Sequence, residues 1–151
     1  MDWQQLYVGA PVCDPQCTFQ SDPDGQQPHV ADSGSGDRVI EDRVIVSRLA
    51  VADSFLTRLR GLLGKKSLAS DEGLWLDACH SIHTFFMRFA IDVVFIDADG
   101  CVAAVHARVP PGKVVTAKRA VHTIELPSGA CERLGLREGQ RVKRGVVSKM
   151  R

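Results

Sequence analysis

The sequence predicts a mainly β (α+β) fold: an antiparallel β-sandwich or open barrel of about six to eight short strands, with one edge helix and one short C-terminal helix. Apolar runs of strand length recur along the chain, each bounded by Gly, Pro or Asp-rich turn signals. Their connections are mostly of hairpin length, and no βαβ alternation is visible, which argues against a doubly wound parallel sheet. Sustained helical periodicity occurs once.

Residues 1–37 read as a disordered polar and acidic extension, because Pro, Gln, Asp and Ser dominate and too little apolar surface is available to offset ordering entropy. The opening Trp3, Leu6, Tyr7 and Val8 patch is the part able to dock on the body. Residues 38–151 read as a single compact domain. Val39 to Leu49 has strand composition, with a hairpin turn at Glu41-Asp42. Asp53-Ser54 caps a helix whose Phe55, Leu56, Leu59, Leu62 and Leu63 share one face, and Gly64 ends it. Gly73 to Ala78 reads as a strand. Ile91 to Asp97 is almost continuously apolar, so both its faces are covered.

Asp97-Ala98-Asp99-Gly100 supplies a turn. Cys101 to Val109 alternates, with Cys101, Ala103, Val105, Ala107 and Val109 on one face. Pro110-Pro111-Gly112 breaks that strand. Val121 to Pro127 is a strand with Glu125 opposite Ile124 and Leu126. Ser128 caps a short helix carrying Ala130, Cys131 and Leu134 and ending at Gly135. Arg141 to Val147 is the last strand.

Length and composition bound the function classes. The 151 residues, 44% apolar and 25% charged, make one domain with an ordinary core. The net charge of +1 conceals six acids against one base in residues 1–38, a tail read as screening a body whose bases are scattered. No apolar run approaches the roughly 20 residues of a transmembrane helix. The start lacks a secretion signal, so a cytoplasmic protein is expected. Cys79, Cys101 and Cys131 lie in apolar contexts and read as buried free thiols. Cys13 and Cys17 are too few, and wrongly spaced, for a common zinc knuckle.

The candidate site is the stretch from His80 to Asp92. His83, Thr84, Phe86, Arg88 and Asp92, with Glu125 from a later strand, form the expected ligand-binding set. Arg88 and Asp92 suit a buried charge-assisted pair, with Arg88 alternatively presenting its guanidinium to a ligand anion. Glu125 reads either as a carboxylate paired with a base such as Arg119 or as a general base with a pKa raised by burial. His80, His83 and Asp92 are also the residue types of a metal set, extendable by Cys79 or Glu125.

The string H-T-F-F-M-R-F-A-I-D-V-V-F-I-D-A-D-G, with R-L-R-G-L-L-G and G-L-W-L upstream and H-T-I-E-L-P-S-G and R-E-G-Q-R-V downstream, resembles the signature of the domain of unknown function 192 family, also catalogued as UPF 0127, across about residues 43–144. The resemblance implies a compact prokaryotic β-sandwich with an edge helix and no established catalytic activity. Ala90 stands where the family's pattern suggests proline.

The functional expectation is a small β module that binds a small ligand or a protein through residues 80–92, monomeric, without catalysis and without a cofactor. The alternative is a hydrolytic enzyme dependent on zinc or another divalent transition metal, held by His80, His83 and Asp92. Nucleic-acid binding is not expected: Lys65-Lys66, Lys118-Arg119 and Arg141-Lys143-Arg144 lack interleaved aromatics. No nucleophile elbow, P-loop or dinucleotide fingerprint is present.

Overall fold

The structure, a computed structural model, describes residues 4–11, 43–52 and 62–146. In chain order the elements are β1 (Gln4–Pro11), β2 (Arg43–Ala52), β3 (Glu72–Leu76), β4 (Ser81–His83), β5 (Ile91–Ile96), β6 (Val102–Val109), β7 (Val114–Thr116), β8 (His122–Pro127), α1 (Ala130–Leu134) and β9 (Gln140–Val146). Seven strands form one sheet in the order β6-β5-β8-β3-β2-β1-β9, and β4 pairs with β7 in a small second sheet. The fold is mostly β, open, with a short C-terminal helix, as expected.

The pairings are antiparallel except β2–β3, which run parallel in the register Arg48↔Glu72 to Ala52↔Leu76. Parallel neighbours cannot be joined by a tight hairpin. The helix expected from Phe55 to Leu63, and the hairpin at Glu41-Asp42, lie outside the described residues wholly or in large part. Within the stretch expected as a polar extension, Gln4–Pro11 forms β1 inside the sheet, paired with both β2 and β9. Leu6 (0% exposed) and Val8 (8%) give the physical reason, because the apolar patch finds a sheet to cover it.

The sheet curls until its edges touch. Cys101, just before β6, bridges Arg141 on β9, with Val142 N donating to Gly100 O at 2.8 Å and Gly139 N to Val102 O at 2.9 Å. Inside the curl lies one apolar cluster, including Leu6, Leu49, Trp75, Ile96, Ile124 and Leu126, closed at one end by Ala130 and Cys131 of α1. A second cluster covers the outer face, where Leu74, Leu76, Val93 and Phe95 meet Leu62, Ile82 and Met87. The two clusters explain why β5 is buried at every position.

Two local expectations change. Val105 packs with the inner cluster and Val109 with the outer one, so the simple alternation in β6 is broken. The β5–β6 ladder shifts register between Ile91 and Val93 and between Phe95 and Ile96, and such bulges reset which way side chains point. The N-cap of α1 is Gly129 (φ 81°), without a side-chain cap from Ser128. Among the described cysteines, Cys79 and Cys131 are free, but Cys101 is disulfide-bonded, its partner lying outside the described residues. Disulfides persist in oxidising compartments, so this bond gives the cytoplasmic expectation no support. No helix among the described residues is long and apolar enough to cross a membrane.

Candidate functional site

The stretch from His80 to Arg88 is held by Thr84. This residue is fully buried. Its Oγ1 donates to Pro110 O at 2.7 Å and accepts from Lys113 N at 2.9 Å. Its backbone N donates to Lys113 O at 2.8 Å, and its O accepts from Gly112 N at 3.0 Å. β4 and β7 extend the same clamp through Ser81↔Thr116 to His83↔Val114. Thr84 therefore positions the segment and has its own polar groups satisfied.

Three residues later Met87 (9% exposed) inserts into the outer cluster. Between these anchors the chain turns outward. Phe85 is 43% exposed and Phe86 90% exposed, with Phe86 at φ 63°. A non-glycine residue in the left-handed region is uncommon, and for a bulky side chain it is strained. The His83 ring stacks on Phe85 at 5.4 Å and 26°. Val114, opposite His83, is 59% exposed and extends the same apolar surface. His83, Arg88 and Lys113 are exposed around it.

Asp92 does not pair with Arg88. Its carboxylate is fully buried and accepts three backbone N–H groups: Oδ1 from Arg108 at 2.8 Å and Gly129 at 3.0 Å, Oδ2 from Cys131 at 2.7 Å. It thus holds the bulge where Arg108 adopts φ 53° and caps α1 from another strand. The Arg108 guanidinium goes to Glu132 at 2.6 Å. Arg88 is exposed and without an ion pair among the described residues. Burial, with the Asp92 carboxylate beside it, pushes the Cys131 thiol up to about 12, so this cysteine is an inert core group at neutral pH.

His80 and His83 are exposed while Asp92 is buried with both oxygens occupied, so the structure does not gather the expected metal set. Among the described residues no group of three or more His, Cys, Asp or Glu side chains could hold an ion.

Glu125 lies at the centre of the sheet, registered between Leu74 of β3 and Val93 of β5. Ile124 and Leu126 enter the inner cluster, so Glu125 faces the outer one. It is 4% exposed, and its Oε2 has no hydrogen-bond partner among the described residues. Desolvation pushes the carboxyl up to about 7. The expected partner Arg119 is 81% exposed on its side chain and approaches Asp97 instead.

A second polar cluster escaped the sequence reading. Asp77, just past β3, accepts Trp75 Nε1–H at 2.7 Å. Its Oδ1 lies 3.0 Å from His122 Nδ1, and its Oδ2 accepts Arg144 Nη1–H at 3.2 Å. The Arg144 guanidinium sits 5.0 Å above the Trp75 ring, and the His122 ring 5.2 Å from it. Trp75 and Asp77, two apart on a strand, signal a shared face. The contributions of His122 and Arg144 required the sheet register.

The DUF192 family model, described as Uncharacterized ACR, matches residues 38–144. The UPF0127 protein PH1112 of Pyrococcus horikoshii is 35% identical over 96 residues, covering 62% of this chain and 84% of that protein. Two crystal structures share the fold. One is a protein of unknown function from Novosphingobium aromaticivorans, with TM-score 0.59 and 20% identity over 68% of this chain and 76% of that one. The other is a proposed transcription regulator from Sinorhizobium meliloti, with TM-score 0.63 and 16% identity over 95% and 96%. At these identities the likeness shows the fold alone.

Proposed function

Because the chain belongs to the DUF192 family, whose description names no activity, we propose from its own geometry that it is a non-catalytic docking module that binds an acidic, partly apolar protein segment on the surface formed by His83, Phe85, Phe86, Arg88 and Val114. The observation that carries this reading is the Phe86 ring, 90% exposed on a left-handed backbone between two buried anchors, Thr84 and Met87. Leaving a large aromatic in water while straining its backbone has a cost that binding recovers. A pre-held loop loses little freedom on association.

Charge names the partner's character. The sequence holds no acidic residue between Ala78 and Ile91 or between Val102 and Ile124. The cations Arg88 and Lys113 thus flank the aromatics with no acidic neighbour in these stretches, and such a field favours acidic partners. On this reading no cofactor is needed. Thr84 acts as the clamp, and the buried Asp92 and Glu125 stay out of contact with the partner.

The test titrates acidic peptides carrying aromatic and aliphatic residues into the isotopically labelled full chain, with lysine-substituted versions as controls. Amide shifts confined to His83–Arg88 and Lys113–Val115, lost in the Phe85→Ser/Phe86→Ser variant, support the reading. No shifts, shifts on another face, or an equal response to the basic peptides overturn it.

A further inference from the structure

We propose that the end of the barrel opposite α1 is a binding site for a small oxyanion, a carboxylate or phosphate group, held by Arg144 and His122 against the indole of Trp75 and braced from behind by Asp77. This site is separate from the aromatic surface, and its argument is independent of it.

The topology places the site. β8 leads from His122 at one end of the barrel to Pro127 and α1 at the other. β3 runs antiparallel to it, with Trp75 opposite Ile124 and Leu76 opposite Thr123, so Asp77 emerges beside His122. Arg144 on β9 pairs with Leu6, a residue of the inner cluster, and its guanidinium reaches Trp75 and Asp77 across the barrel end. Three strands that are not consecutive in sequence thus supply the four groups: Trp75 and Asp77 from β3 and its end, His122 from β8 and Arg144 from β9.

The local chemistry shows what is left over. Among the described residues Asp77 accepts from the indole N–H and one guanidinium nitrogen and lies beside the imidazole. An arginine and a histidine fixed from behind by a carboxylate have lost much of their side-chain freedom before any ligand arrives. About a third of each side chain remains in solvent, 34% for Arg144 and 31% for His122. Arg144 uses Nη1 on Asp77, which leaves Nε and Nη2 without a protein hydrogen bond among the described residues. The polar contacts of His122 are at Nδ1, which also lies 3.4 Å from Ala78 N, and among the described residues none reaches Nε2. A planar guanidinium fork beside an imidazole nitrogen is a set of groups that carboxylates and phosphates pair with. The Trp75 face limits approach to one side and keeps the guanidinium partly desolvated.

Inorganic phosphate and acetate are titrated separately into the full chain at constant ionic strength, following the Trp75 indole N–H and the His122 ring resonances. Saturable shifts of both groups with at least one anion, at a Kd of about 1 mM or tighter, are expected, and the preferred anion identifies the ligand class. Arg144→Gln and His122→Gln each weaken binding about tenfold, and Arg144→Lys, which keeps charge but loses the fork, weakens it less. If the glutamine variants fail to fold, the wild-type and Arg144→Lys titrations decide alone. The proposal is overturned if neither anion gives a saturable shift at about 10 mM, or if affinity is unchanged in the variants. Either result would leave the four residues as a clasp joining β9 to β3.

Discussion

Asp92 Oδ2 accepts the backbone N–H of Cys131 at 2.7 Å, joining a β5 side chain to the first turn of a helix 39 residues later. With Arg108 and Gly129 on its other oxygen, this one carboxylate ties a bulge and a helix start to the central sheet. Its three hydrogen bonds make Asp92 a fastening point of the framework.

Replacing Asp92 by Ala strands the three N–H groups. The expected loss is about 3 kcal/mol or more, because each buried donor left unsatisfied costs about 1–3 kcal/mol. Arg88→Ala, which removes an exposed cation, changes stability by less than about 0.5 kcal/mol. Urea midpoints of the two variants check this. Equal losses would restore the ion pair that the structure does not contain.

Glu125 makes stability fall as pH rises. Its folded-state carboxyl is pushed up to about 7 from an ordinary 4.5. Between those values the folded protein holds a proton that the unfolded chain releases, so stability declines across pH 4.5 to 7 and is level in this contribution on either side. The total change is on the order of 3 kcal/mol. Glu125→Gln removes the slope and is the more stable protein above pH 7. Denaturant curves at several pH values read the difference, and parallel profiles for wild type and variant would contradict it.

Thr84→Val keeps shape and removes the hydroxyl. Lys113 N–H loses its acceptor and Pro110 O its donor. The expected cost is about 2–3 kcal/mol, and Thr84→Ser recovers most of it. Hydrogen exchange at Lys113 should accelerate in the valine variant and stay slow in the serine one.

Phe86→Gly separates conformation from contact. Glycine accepts the positive φ without a Cβ penalty of about 1–2 kcal/mol, and the ring it removes is almost fully in water. Thermal stability therefore stays level or rises slightly in this variant, while binding by the aromatic surface is lost. A marked drop in melting temperature would mean that the ring is packed in solution.

What could be read in the sequence was what depends on near neighbours. The uninterrupted apolar run of β5 announced a strand covered on both faces, and Asp97-Ala98-Asp99-Gly100 announced its turn, realised with Asp97 Oδ1 accepting the Cys101 N–H at 2.9 Å. Gly135 ends α1 at φ 67° as its position suggested. The rest rests on distant partners. Asp92 reaches donors 16, 37 and 39 residues away, and Arg144 meets Asp77 across 67. The bulge at Arg108 leaves no mark in composition, so alternation assigned Val105 and Val109 to one face. The buried state of Glu125 was legible only as one of two alternatives, because its surroundings come from Leu74 and Val93 on strands whose order local patterns do not specify.

The placement of β1 between β2 and β9 bears on how the protein is made. On the ribosome β1 emerges long before β9, and β1 is the one strand that β9 pairs with along its length, beyond the single bridge to Cys101. Completion waits for nearly the whole chain to be synthesised, a long-range pairing that slows maturation. An expression clone trimmed to residues 38–144, the stretch shared with relatives, would deprive β9 of its template and yield a frayed, association-prone edge.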